Sequence, residues 1–133
     1  MHPSPARQLP RENVVTGRVM ALYEYPADTT RAVLNMLANG TLKKFPDIKF
    51  VVPHCGSFLP YMKQRAGAMF QMLSSMKMME SVNIEDSLKR LYFDLAGDPM
   101  PDALDILLKI TDIDHIVYGS DYPYVPAPIL LKK

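Results

Sequence analysis

The sequence predicts an α/β fold built on a small parallel sheet. Three short apolar runs have the composition of strands, and a stretch long enough to form a helix separates each run from the next. Connections of that length imply parallel pairing through right-handed crossovers. The runs show no polar–apolar alternation, which is typical of strands buried on both faces. The expected architecture is therefore a parallel sheet with helices packed against it.

The first predicted helix spans about residues 28–39. Asp28, Thr29 and Thr30 offer N-cap candidates, apolar residues then recur on one face, and Gly40 supplies a stop signal. Residues 1–26 carry prolines among polar residues and no sustained period, so we expect an irregular segment there.

The remaining elements are bounded by turn residues and by changes of hydrophobic period. In chain order, we predict a strand at 48–53, a helix at 59–79, a short helix or turn at 84–90, a strand at 91–95, a helix at 101–109 and a strand at 116–118. Three strands make a small sheet, and little chain follows the last of them to cover it. The chain therefore resembles part of a larger unit.

Composition narrows the function classes. The 133 residues suit one domain, residues 1–133, and 48% apolar with 22% charged residues is globular composition. A net charge of +1 gives no reason to expect nucleic acid or a membrane as partner. A single cysteine and the absence of an apolar leader favour a cytoplasmic location.

Two strand ends carry the residue types of a catalytic site. His54 follows the apolar run Phe50-Val51-Val52, and Asp121 follows the last predicted strand. Parallel strands present their carboxyl ends at one rim, so an imidazole and a carboxylate would meet there, as a hydrolytic or lyase metal site requires. A histidine satisfied near the core and a turn carboxylate remain the structural alternatives.

Other candidates are weaker when taken from the residues alone. His2 lies near a chain end, where a histidine is usually solvated, and His115 precedes its strand at the opposite rim. Asp94 ends the second strand and could reach the same rim as His54 and Asp121, although a cap or loop hydrogen bond is the simpler role. A lone Cys55 is a weak metal signal, and Arg65 has the character of a solvated helix face.

Several common catalytic motifs are missing from the sequence. It contains no glycine-rich phosphate loop, no paired-cysteine metal motif and no Gly-x-Ser-x-Gly nucleophile elbow. Nucleotide binding and serine hydrolysis are therefore disfavoured, and metal-assisted or acid–base chemistry is left.

Three ordered blocks carry a family resemblance. Residues 44–61, KFPDIKFVVPHCGSFLPY, resemble the signature FPDLKxxxxHGGGxxPY of the amidohydrolase-related family, the branch that contains aminocarboxymuconate-semialdehyde decarboxylase. YFDLAG at 92–97 and YGSDYP at 118–123 are similar to its next two blocks. The resemblance implies the C-terminal half of a (β/α)₈ barrel, with about three to four parallel strands present.

The same resemblance implies roles for four residues. Asp121 corresponds to a metal-binding aspartate, His54 to the acid–base histidine, and His2 to a histidine metal ligand. Arg65 corresponds to an arginine that holds the substrate carboxylate in a neighbouring subunit, which implies a homodimer. The implied activity is decarboxylation of an aromatic or unsaturated carboxylic acid with one divalent metal, expected to be zinc.

The chain departs from the family pattern in two respects. Cys55 and Ser57 occupy positions that are usually glycine, and the His-x-His pair that supplies two metal ligands has no counterpart. We therefore expect a fragment with poor activity of its own. Hydrolysis by the same site, and an inactive half-barrel that needs an N-terminal half, are the alternatives.

Overall fold

A computed structural model describes residues 20–126 and residue 128 of the chain. The helices are α1 at Glu24–Ala38, α2 at Thr41–Lys44, α3 at Leu59–Ser75, α4 at Ile84–Lys89 and α5 at Asp102–Leu107. The strands are β1 at Val51–Val52, β2 at Tyr92–Asp94 and β3 at Ile116–Val117. Single 3₁₀ turns occupy Met20–Leu22 and Ile113–His115.

The three strands form an open parallel sheet in the order β1-β2-β3. Val52 pairs with Phe93, and Phe93 pairs with Ile116, so β2 is the central strand. This confirms the predicted α/β class with three parallel strands.

The sheet is buried on one face only, which corrects the expectation of burial on both. Val52 and Phe93 are fully buried, whereas Val51 and Val117 are 37% and 36% exposed. The helices contribute Val33, Leu59 and other apolar side chains to a single core on the buried face. Within the described residues no helix covers the other face, which we call the open face.

Helix α1 begins at Glu24, four residues before the predicted start and inside the segment that we expected to be irregular. Pro26 is the third helical residue, where the backbone N–H would have no intrahelical acceptor, so proline fits the first turn. Residues 1–19 of the predicted irregular segment lie outside the described part of the chain. At the other end Gly40 is left-handed, with φ 65°, and it ends α1 as predicted.

Helix α3 ends at Ser75, four residues before the predicted end. Lys77 is left-handed (φ 58°), and the Met78 N–H donates to the Leu73 carbonyl at 2.9 Å. This is the closing geometry of a Schellman motif. The apolar pattern continues into Met78 and Met79 beyond the helix, which explains the overestimate.

Helix α1 is tied to the segment that follows β1. The Thr30 hydroxyl donates to the Pro26 carbonyl at 2.8 Å and accepts from the Phe58 N–H at 3.0 Å. The Tyr23 and Phe58 rings lie 5.5 Å apart. The start of α1 therefore packs at the same end of the sheet as the residues after β1.

None of the described helices combines the length and the hydropathy that a membrane span requires. The cytoplasmic location stays a prediction.

Candidate active site

His54 lies in an unusual left-handed turn just after β1. Residues 54–57 all have positive φ angles, namely 57°, 51°, 75° and 55° in chain order. The Ser57 N–H donates to the His54 carbonyl at 2.8 Å, and the Leu59 N–H donates to the Gly56 carbonyl at 3.0 Å. The turn leads directly into α3 and leaves the His54 side chain 27% exposed at the carboxyl end of the sheet.

A side chain at Gly56 would crowd the core beneath this turn. A Cβ there would lie 3.1 Å from a ring carbon of Phe93 and 3.5 Å from Leu107. The turn that begins at His54 therefore packs closely on the core at Gly56.

Asp94 at the end of β2 is bonded to the same turn. Its Oδ1 accepts the His54 N–H at 2.8 Å and the Ala96 N–H at 3.1 Å. Its main-chain carbonyl accepts the Cys55 N–H at 3.0 Å. Asp94 thus makes the loop hydrogen bond that was the simpler of its two expected roles.

Asp121 approaches His54 from the end of β3. Its Oδ2 lies 3.6 Å from His54 Nε2, and the two side chains are 20% and 27% exposed. Asp121 is also left-handed, with φ 56°, and its carbonyl accepts the Val125 N–H at 2.9 Å. The structure therefore brings His54 and Asp121 together at one rim. At this separation a carboxylate attracts a protonated imidazole while both groups stay accessible to a ligand.

Of the other two predicted site residues, one is not described by the structure and the other lies on a helix surface. His2 lies outside the described residues. Arg65 is on the exposed surface of α3, about 9 Å along the helix axis from Leu59.

Cys55 and His115 have structural surroundings. Cys55 is 8% exposed and belongs to the hydrophobic core. His115 precedes β3, with its Nδ1 3.1 Å from Asp114 Oδ1 and its ring 4.6 Å from that of Tyr92. His115 therefore belongs to the opposite end of the sheet.

The described residues do not by themselves fit a catalytic divalent metal. No group of three or more His, Cys, Asp or Glu side chains that could hold a metal occurs among them. His54 and Asp121 offer two converging donor atoms, whereas catalytic metal sites commonly use three protein ligands. A complete set of His, Cys, Asp or Glu ligands would need a residue from outside the described part of the chain.

Sequence reasoning missed the part played by Gly119. A Cβ at Gly119 would lie 2.9 Å from both Cβ and Cγ of Asp94 and 3.2 Å from the Ala96 nitrogen. The glycine two residues before Asp121 was the available signal, but its neighbour in space is 25 residues away along the chain and could not be inferred.

Comparisons with known proteins identify the family of this chain. Residues 3–133 match the family Amidohydro_2, described as Amidohydrolase. The chain is 27% identical over 128 residues to 6-methylsalicylic acid decarboxylase of Penicillium expansum, covering 96% of this chain and 40% of that protein. The chain thus spans about two fifths of the length of this curated relative.

Solved structures give the same correspondence. A crystal structure described as an amidohydrolase II is 34% identical, with a TM-score of 0.83 over 94% of this chain and 39% of that one. A 5-carboxyvanillate decarboxylase from Novosphingobium aromaticivorans, complexed with manganese and 4-hydroxy-3-methoxy-5-nitrobenzoic acid, is 21% identical; its TM-score is 0.78 over 99% of this chain and 40% of that one. The chain, with its open sheet, aligns with about 40% of the length of such TIM-barrel structures. The chain therefore belongs to the amidohydrolase family Amidohydro_2.

Proposed function

We propose that this chain carries the proton-transfer part of a decarboxylase site that acts on an aromatic carboxylic acid. The observation that supports this most is the approach of His54 Nε2 to Asp121 Oδ2, 3.6 Å apart at the carboxyl-end rim of the sheet. The chain matches a family whose curated relatives include a named aromatic-acid decarboxylase. Because it spans only two fifths of that relative, the activity of the whole protein is part of the proposal.

Non-oxidative decarboxylation needs a proton donor at one carbon atom. The bond between that carbon and the carboxylate breaks, carbon dioxide leaves, and a C–H bond forms in its place. We assign the proton to the His54 imidazole, which is accessible at the rim; histidine is the commonest general acid–base group in enzymes. The Asp121 carboxylate attracts the charged imidazolium and holds it at the rim.

We propose that a divalent metal serves this site, with Asp121 and His2 among its ligands. When bound, such an ion polarises oxygen atoms of the substrate or of water. Zinc is the expectation from the family resemblance, whereas the similar 5-carboxyvanillate decarboxylase was crystallised with manganese, so both ions belong in any assay. Because the described residues lack a complete ligand set, we expect the isolated chain to turn over slowly.

We propose that Arg65 reaches the site of a neighbouring copy of the chain and binds the carboxylate of the substrate held there. A guanidinium pairs with a carboxylate through two parallel N–H donors. Arg65 is exposed on α3, which suits a role across a dimer interface.

The test is a product analysis with the purified chain. Hydroxylated benzoic acids, including 6-methylsalicylic acid, would be incubated with the chain after loading with Mn²⁺ or Zn²⁺, and carbon dioxide and the ring product quantified. We expect slow, substrate-dependent release of one carbon dioxide for each product molecule. Cleavage of a lactone or a C–N bond without carbon dioxide would establish the hydrolase alternative instead. Bound metal with neither reaction would support an inactive fragment.

A further inference from the structure

The left-handed turn at residues 54–57 needs an external restraint. Three of its four members are not glycine, and L-amino acids disfavour positive φ. Such a conformation persists only where surrounding contacts determine it, and here it directs the His54 side chain.

Asp94 supplies the restraint from the neighbouring strand. One carboxylate oxygen accepts both the His54 and the Ala96 N–H groups, at 2.8 and 3.1 Å. The Asp94 carbonyl accepts the next N–H of the turn, from Cys55, at 3.0 Å. Asp94 therefore fixes the two consecutive residues at which the chain enters the turn.

The Asp94 side chain also meets the strand end that carries Asp121. At Gly119 a Cβ would come within 2.9 Å of Asp94 Cβ and Cγ, closer than Cβ contacts normally come. The glycine thus lets the chain before Asp121 lie directly against the Asp94 carboxylate. The Asp94 side chain on the central strand therefore contacts the His54 backbone and also the chain segment that leads to Asp121.

We propose that Asp94 is the positioning residue of this site, acting as a hydrogen-bond acceptor that sets the His54 backbone. The proposal rests on the proposed function for its catalytic consequence. It predicts that the acceptor geometry matters and that the negative charge does not. Asparagine retains an oxygen that can accept both N–H bonds, whereas alanine retains none.

The experiment compares Asp94→Ala, Asp94→Asn and, as a matched control, Asp105→Ala in the full chain. Asp105 is an exposed residue of α5. We expect Asp94→Ala to lower kcat between about tenfold and a hundredfold, with KM nearly unchanged, because the proton donor is misplaced while the substrate still binds. We expect Asp94→Asn to keep kcat close to that of the unmodified chain, and Asp105→Ala to leave kcat unaltered.

Amide hydrogen exchange, followed by NMR, tests the same point without turnover. In Asp94→Ala we expect the His54 and Ala96 amides to exchange at least about tenfold faster, with interior α3 amides unchanged, and we expect Asp94→Asn to keep both protected. If the variants show this exchange pattern but the unmodified chain does not decarboxylate any substrate, the proposed function fails and the positioning role stands.

Two results would overturn the proposal. One is unchanged His54 exchange and kcat in Asp94→Ala. The other is an Asp94→Asn chain as impaired as Asp94→Ala, which would assign the role to the charge. If Asp94→Ala does not fold, Asp94→Asn decides alone: retained protection of both amides supports the proposal, and lost protection refutes it.

Discussion

Ser57 holds a backbone conformation that glycine adopts more easily. Its φ is 55°, and its hydroxyl makes only a long hydrogen bond, 3.4 Å, to the Pro53 carbonyl. A left-handed L-residue costs about 1–2 kcal/mol. Replacing Ser57 with glycine removes this cost, but the greater freedom of glycine in the unfolded chain offsets roughly 0.5–1 kcal/mol of the gain.

We therefore expect Ser57→Gly to raise the free energy of unfolding by roughly 0.5–1 kcal/mol, measured by urea denaturation. The control is Ser74→Gly, inside α3, which should lower the same quantity by up to about 1 kcal/mol. A destabilised Ser57→Gly chain would mean that the serine side chain holds the turn through contacts stronger than its hydroxyl bond.

At this scale the sequence predicts individual residues well where they end strands. His54 and Asp121 each follow an apolar run, and parallel strands bring such ends to one rim. Their catalytic and metal-binding roles stay predictions. The partners that hold them could not be predicted, because Asp94 and His54 are 40 residues apart, and Thr30 and Phe58 are 28 apart.

The packing of α4 on α3 includes an ion pair at its edge. Lys63 Nζ lies 3.0 Å from Glu85 Oε1. The hydrogen bond from Lys63, followed by its positive charge, lowers the pKa of Glu85 below its ordinary value, and Lys89 adds to this. Glu85 therefore binds a proton less readily in the folded chain than in the unfolded one.

The sign of the pH effect follows from that difference. The Glu85 contribution to stability is present above the unfolded pKa and is lost as the pH falls through the lower, folded pKa. We expect Glu85→Gln to lower the free energy of unfolding slightly near neutral pH and not at all in strong acid, as measured by denaturation across pH. The glutamate is 64% exposed, so the effect is small and weakens with salt.

The control for that measurement is Glu80→Gln. Glu80 Oε2 lies 3.9 Å from Lys43 Nζ, and both side chains are well exposed. A weaker pH dependence is expected for this variant. An equal or larger one would show that Glu85 gains nothing from its closer contact with Lys63.

Element boundaries depart from the sequence-based prediction where local signals conflict with backbone geometry. The period of α1 can be traced only from residue 28, yet the helix begins at Glu24, because proline is tolerated in a first turn. The apolar pattern after α3 outlasts the helix, because Lys77 turns left-handed while Met79 still packs on the core. Helix order and strand order are unaffected by these shifts.

At the scale of the whole molecule, one face of the sheet is uncovered within the described residues. Val51 and Val117 are partly exposed on the open face, and Tyr118 beyond β3 is 83% exposed. Strands β1 and β3 are the edges of the described sheet. The small, incompletely covered sheet was predicted from the sequence. Its one-sided burial was not, because the apolar runs show no polar–apolar alternation that would mark an exposed face.

We expect the 133-residue chain to self-associate with increasing concentration, since open edges and apolar faces favour pairing. Sedimentation velocity over a range of concentrations measures this. Val117→Lys places a charge on the open face beside an edge and should reduce the association. A chain that stays monomeric at every concentration would contradict the expectation.

The proposed chemistry depends on His54, and one measurement tests this most directly. It compares the rate of carbon dioxide release from the best aromatic acid for the unmodified chain, for His54→Gln and for the control His115→Gln, at matched metal content. If His54 is the proton donor, the unmodified chain and His115→Gln release carbon dioxide slowly, and His54→Gln loses about a hundredfold or more of that rate. Equal release by all three chains, or release by none, would contradict it.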